Sequence, residues 1–166
     1  QMINVFTGTV GSCPQDNNPV SEQLQTVLSK MMKNSDNNRT QAVTAFFGEN
    51  NINNFAQAQG MSDTLLQHRI GCAADALANP NHLTLQDAGE LYEKVATGLL
   101  PTQRQNFYNL MLNSYTQFPP MGNLSLTTVM NQESADVGLS AAQLTAFKAA
   151  LVIAFKTGSY QPNSDH

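Results

Sequence analysis

A helical repeat of apolar residues near the start of the chain most strongly limits what it can fold into. The repeat consists of Leu24, Val27, Leu28, Met31 and Met32. This spacing predicts an amphipathic helix with one buried face, and the helix ends at the polar run Ser35-Asp36-Asn37. A second helical stretch covers residues 39–47, and Gly48 is well placed to close it. We therefore expect two helices separated by a short polar junction.

Further helices are predicted along most of the chain. They cover residues 51–59, 84–96 and 101–115, and a last one begins at Ser140. Thr84 is a suitable N-cap with Asp87 three residues later. Residues 65–81 lack a helical repeat and are predicted to form an active-site loop, while residues 151–155 could be helix or strand.

The predicted helices divide the chain into three parts. Residues 1–19 are rich in Gly, Pro and Asn, which predicts a surface loop leading into the fold. Residues 20–155 form the helical part, and residues 156–166 form an edge and a polar tail. A strand at residue 156 would need sheet neighbours for its backbone groups. We therefore expect either a fragment of a larger protein or a chain that lacks an α/β half at both ends.

Composition limits the kind of partner. The chain has 166 residues, 41% of them apolar, which is enough for one domain with its own core. A net charge of −4 with only 8 Lys and Arg argues against a nucleic-acid partner. No run of 18 apolar residues is present, so no membrane span is predicted. His68 and His82 have no ligand-type spacing, so we expect no metal or cofactor.

Two tripeptides carry the functional signal. Ser35-Asp36-Asn37 is followed, 156 − 35 = 121 residues later, by Lys156-Thr157-Gly158. In this order they are typical of penicillin-binding proteins and class A β-lactamases, whose nucleophile is the serine of a Ser-x-x-Lys motif. No serine of this chain has a lysine three residues later. Taken singly, the first tripeptide also fits a polar helix-to-loop junction and the second a solvated lysine at a helix end.

Longer segments extend this resemblance. Residues 31–40, residues 52–55 with 60–64, and residues 83–89 all resemble class A β-lactamase-related serine hydrolases, and the similarity runs from about residue 20 to 160. The closest likeness is to a secreted branch. The resemblance implies a mostly α chain, namely the helical subdomain of a β-lactamase-like α/β + α fold whose α/β half is largely missing. It also implies a secreted or periplasmic protein.

The resemblance assigns roles to matching residues. Ser35 and Lys156 would be catalytic: Ser35 would relay a proton to the leaving group, and Lys156 would supply positive charge and tune Ser35. Asn37 would bind the substrate amide, and Thr157 would bind the substrate carboxylate. Gly158 would allow the substrate to approach closely.

Two further residues are implied to be structural, and one departure affects turnover. Asp36 would hold the junction, and Arg69 would belong to the active-site loop. In class A β-lactamases that loop carries a glutamate that activates the deacylating water. Here Gly71 stands in its place and Asp75 is the nearest acid, so we expect slow deacylation.

The two cysteines leave a choice that the residues alone do not make. Cys13 and Cys72 could be buried thiols, or they could close a loop of about 60 residues worth roughly 4 kcal/mol in the chain-entropy model. The resemblance to the secreted branch, with cysteines at both places, implies a disulfide.

The sequence therefore predicts a β-lactamase-like serine hydrolase. It would act through an acyl-enzyme on a β-lactam, a peptidoglycan-like amide or an ester, so its partner is a small-molecule or peptide substrate. The missing α/β segment of the same protein is the other expected partner. The alternative from a different class is a non-catalytic binding module that kept the cleft, and an unrelated all-α protein would require both motifs to be accidental.

Overall fold

The fold was analysed in a computed structural model that describes residues 1–6, 8–10, 13–15, 18–68, 70, 79–111 and 124–156, with backbone only for 8–10 and 13–15. These residues form four strands, β1 (Met2–Val5), β2 (Gly8–Val10), β3 (Cys13–Gln15) and β4 (Val20–Gln23). The helices among them are α1 (Leu24–Asn34), α2 (Asn37–Phe47), α3 (Glu49–Ala58), α4 (Leu85–Thr97), α5 (Arg104–Asn109), α6 (Leu126–Asp136) and α7 (Ala141–Ala150). The described part of the chain is therefore mostly helical, as the sequence predicts.

The N-terminal segment corrects one prediction. Residues 1–19 were expected to be a loop, but they contain β1, β2 and β3. Strand β1 pairs antiparallel with β4, from Met2 opposite Gln23 to Val5 opposite Val20, and β2 pairs with β3. The Gly, Pro and Asn residues that suggested a loop lie in and around very short strands. The first helix accordingly begins at Leu24 rather than at residue 20.

A small apolar core joins β1 to the first two helices. Alternate residues of β1, Ile3 and Val5, are buried and pack with Val27 of α1 and Ala42 of α2. Val27 is completely buried. This core explains the helical repeat in part, because Val27 at its centre packs against β1 and α2. The other residues of the repeat, Leu24, Leu28, Met31 and Met32, are half-buried.

The helix ends match the predicted caps closely. The N–H of Gly48 donates to the carbonyl of Thr44 at the end of α2, with φ of +82° at the glycine. The Thr84 hydroxyl accepts from the Asp87 N–H at 3.1 Å and starts α4. Ser140 starts α7 in a reciprocal capping box with Gln143. All three caps are confirmed, and each depends on local hydrogen bonds that sequence spacing specifies: a backbone bond at Gly48 and side-chain bonds at Thr84 and Ser140.

Three segments differ from, or complete, the predicted pattern. The helix expected over residues 101–115 is only α5 (Arg104–Asn109) among the described residues, and residues 112–115 lie outside them. Helix α6 begins at Leu126, after the N-cap Ser125, which accepts from the Thr128 N–H, and this helix was not predicted. Helix α7 ends at Ala150, and Leu151 is extended, so residues 151–156 leave the helix before Lys156. Across the described residues, no helix is long and apolar enough to cross a membrane.

Candidate active site

The candidate site is built on the two-residue junction between α1 and α2. Ser35 is the C-cap of α1 and has left-handed backbone angles, φ 53° and ψ 46°. Asp36 is extended and is the N-cap of α2. A left-handed serine is uncommon and is maintained only where surrounding contacts fix it. The junction turns the chain sharply and leaves the Ser35 side chain on an exposed corner.

Asp36 is tied to the first turn of α2. Its carboxylate accepts from the Arg39 N–H at 3.0 Å and also from Nη1 of the Arg39 guanidinium. The Thr40 hydroxyl donates to the Asp36 carbonyl at 2.9 Å. These contacts satisfy backbone groups at the start of the helix. The carboxylate is therefore engaged in holding the junction.

Arg39 extends this contact to the sheet. Its Nε donates to Oε2 of Glu22 in β4 at 3.2 Å, and its Nη2 donates to Oε1 of the same carboxylate. Lys30 of α1 also reaches Glu22, with Nζ 3.3 Å from Oε2. The hydrogen bond from Arg39 lowers the pKa of Glu22, and the same bond raises the pKa of Arg39.

Lys156 reaches the junction from the far end of the described chain. Its Nζ donates to the Ser35 hydroxyl oxygen at 2.5 Å, although 121 residues separate the two. Partial burial lowers the pKa of the Lys156 ammonium. The roles implied for Ser35 and Lys156 require these two side chains to meet, and this contact is present. Their catalytic roles, and the convergence of Asn37 and Thr157 on the same cleft, stay predictions. A cation and a hydroxyl in contact can pass a proton from one to the other.

The remaining predicted site residues are only partly described. Asn37 is the first residue of α2 and is exposed, next to Asp36. Thr157 and Gly158 lie outside the described residues, as do Arg69 and Cys72. Cys13 is described only as backbone in β3. The substrate-binding roles, the role of Arg69 and the disulfide therefore stay predictions.

The predicted active-site loop has a well-defined base. Leu65 and His82 exchange two backbone hydrogen bonds, each of 2.9 Å. The Asn81 side chain accepts from the N–H groups of Gln67 and His68 at 2.7 and 3.0 Å. Gly71 and Asp75, which bear on deacylation, lie outside the described residues.

Asp87 fixes the segment that leads into this loop. It lies in the first turn of α4, is 2% exposed, and its Oδ2 accepts from the Asp63 N–H at 3.0 Å and from the Thr64 hydroxyl at 2.6 Å. A buried carboxylate is tolerated when it is hydrogen-bonded. The part of the chain that the structure describes contains no group of three or more His, Cys, Asp or Glu residues able to hold a metal ion.

Sequence reasoning missed the ion-pair network around Ser35. Arg39 could have been noticed because it lies three residues after Asp36 in a helix, where side chains meet. Glu22 carries no such signal, because its approach to Arg39 depends on the tertiary fold, in which β4 pairs with β1 and β1 packs against α2. The network became visible only with the pairing of β1 and β4.

Comparison with known proteins places the chain in a family. A family model described as the β-lactamase enzyme family matches residues 5–162, which is nearly the whole chain. No curated protein and no solved structure matched. The matched range includes both Ser35 and Lys156, the two groups that meet in the fold. The chain belongs to the β-lactamase enzyme family.

Proposed function

We propose that this chain is the helical part of a class A-like serine hydrolase in which Ser35 and Lys156 act together in acyl transfer. The observation that carries the proposal is the contact between Lys156 Nζ and Ser35 Oγ. Its substrate is a β-lactam, a peptidoglycan-like amide or an ester. Family membership supports hydrolase chemistry of this kind.

The proposed chemistry assigns a proton path. As the oxygen of a nucleophilic serine attacks the substrate carbonyl, its hydroxyl proton passes to a basic side chain beside it. The bond from carbon to the leaving nitrogen or oxygen breaks, and the leaving atom must gain a proton. Ser35 donates that proton and recovers one from the Lys156 ammonium. The lowered pKa of Lys156 makes it a better proton donor near neutral pH. Ser35 and Lys156 are both exposed, so a substrate can reach their side chains.

The nucleophile is proposed to come from outside these 166 residues. No serine here has the Ser-x-x-Lys spacing, and an unactivated serine hydroxyl is a weak nucleophile at neutral pH. Ser35 Oγ already accepts a hydrogen bond from the Lys156 ammonium, which suits a proton relay better than an attacking group. The missing α/β segment of the same protein would supply the nucleophile and cover the open side of the site.

Export is part of the same proposal. The secreted or periplasmic location rests on the resemblance of Cys13 and Cys72 to the cysteines of a secreted branch. Disulfides persist in such oxidising compartments. A substrate related to peptidoglycan would also be met there.

Covalent labelling tests the function. The 166-residue chain and the product of its full open reading frame would each be incubated with a fluorescent penicillin and a fluorophosphonate, and intact mass would be measured. We expect no adduct on the 166-residue chain and a stable adduct on the full product. Lys156→Met in the full product should slow acylation by at least about tenfold.

The outcomes separate the hydrolase from the binding module. An adduct on the 166-residue chain would contradict the assignment of the nucleophile to another segment. If the full product binds the penicillin reversibly and forms no adduct with either probe, the protein is a non-catalytic binding module rather than a hydrolase. Lys148→Met is a matched control, since Lys148 donates to Asn131 between α7 and α6 and does not contact Ser35.

A further inference from the structure

Both helices that flank Ser35 are attached to the same carboxylate. Lys30 comes from α1 and Arg39 from α2, and both donate to Glu22 of β4. Ser35 and Asp36 are the only residues between the two helices. The place of the Ser35 hydroxyl is therefore set by how α1 and α2 are held against each other.

Arg39 connects the junction to the core. Its guanidinium contacts Asp36 at the start of α2 and Glu22 in β4. Strand β4 pairs with β1, whose Ile3 and Val5 lie in the core. The Arg39 and Glu22 side chains are only 18% and 19% exposed. Solvent therefore screens this ion pair less than it screens a surface pair.

We propose that Glu22 and Arg39 are positioning residues, which hold α1 and α2 around the left-handed Ser35 so that its hydroxyl meets Lys156. The catalytic consequence rests on the proposed function, but the geometric one does not. Neither residue belongs to the two tripeptides. Arg39 suits the task because a guanidinium can bridge two carboxylates with several N–H donors, whereas a lysine ammonium is a point charge.

The test uses two variants that remove the bridge in different ways. Arg39→Lys keeps the positive charge but removes the guanidinium that contacts two carboxylates. Glu22→Gln keeps the shape of the side chain but removes its negative charge. Arg104→Lys is the matched control, because Arg104 lies on α5 and donates to the Ala96 carbonyl away from the junction. Urea unfolding, monitored by circular dichroism, would show that each variant is folded.

The first readout is independent of activity. NMR titration of ¹⁵N-labelled lysine side chains, with the Lys156 signal assigned from a Lys156→Met sample, gives the pKa of Lys156. If the bridge places Lys156 against Ser35, breaking it should expose the ammonium, and that pKa should rise toward its ordinary value in both variants. It should not change in Arg104→Lys.

The second readout uses the full open reading frame. Both variants should lower the acylation rate at saturating β-lactam by about tenfold or more and leave the half-saturating concentration nearly unchanged, because positioning acts on the reacting groups. An unchanged Lys156 titration in folded Arg39→Lys and Glu22→Gln would overturn the positioning role. If the Lys156 pKa shifts in the variants but the wild-type full product is not acylated, the positioning role stands and the proposed function is refuted.

Discussion

Replacing Asp87 tests what holds the entrance to the active-site loop. Its carboxylate is 2% exposed and accepts two hydrogen bonds, from the Asp63 N–H and the Thr64 hydroxyl. Each hydrogen bond to a charged group contributes roughly 1.5–3 kcal/mol. Removing the buried charge recovers part of that sum through relief of desolvation. We expect Asp87→Ala to lower the free energy of unfolding by about 3 kcal/mol.

That loss is large enough to measure in two ways. For a chain of this size, 1 kcal/mol shifts the Tm by about 2–4 °C, so the melting temperature should fall by about 6–12 °C. Urea unfolding would give the free energy directly. Asp87→Asn keeps one acceptor oxygen and should lose about half as much.

Asp136→Ala is the matched control for Asp87. Asp136 is the last residue of α6 and is exposed, so its replacement should change stability by less than about 0.5 kcal/mol. If Asp87→Ala also stays within about 0.5 kcal/mol of wild type, the carboxylate does not hold the loop entrance. The two hydrogen bonds to the buried carboxylate would then contribute nothing measurable to stability.

Three further predictions concern pH, the cysteines and a helix cap. Arg39 lowers the pKa of Glu22 below its ordinary value of 4.5. The stability that Glu22 contributes is therefore present above about pH 4.5 and is lost as the pH falls through the folded-state pKa. The urea midpoint of the wild type should fall more steeply in acid than that of Glu22→Gln, and parallel curves would contradict this. Cys13 and Cys72 should resist alkylation until reductant is added, and intact mass showing two alkylated thiols without reductant would disprove the bond. Ser140→Ala should cost about 1 kcal/mol by urea unfolding, because it removes the capping box of α7, and a change below about 0.3 kcal/mol would show that the cap contributes little.

The helical part of the fold could be predicted because its signals are local. The repeat that begins at Leu24, and the caps at Thr84 and Ser140, each involve residues three or four apart in the sequence. The strands at residues 1–19 could not be predicted in this way. Each has only three or four residues, and its neighbours are turn formers. Burial of Ile3 and Val5 depends on α1 and α2, which no local window contains.

The candidate site shows the same division. Ser35 and Lys156 were predicted to meet because two tripeptides suggested it, and they do meet. Neither spacing nor composition indicated Glu22, whose role comes from a strand that the sequence had suggested was helical. A residue whose contacts depend on the tertiary fold produces no recognisable pattern in the sequence around it.

The groups present in this chain bear on different steps of the proposed reaction. In the proposed reaction, Ser35 and Lys156 bind the substrate and move a proton, and both a hydrolase and a binding module of this family would need the first of these properties. A Ser-x-x-Lys serine is required only for acylation, and a water-activating carboxylate where Gly71 stands is required only for deacylation. Affinity for a β-lactam therefore cannot separate the two functions. Acylation of the full protein separates them, and slow release of the acyl group would then be the expected effect of Gly71.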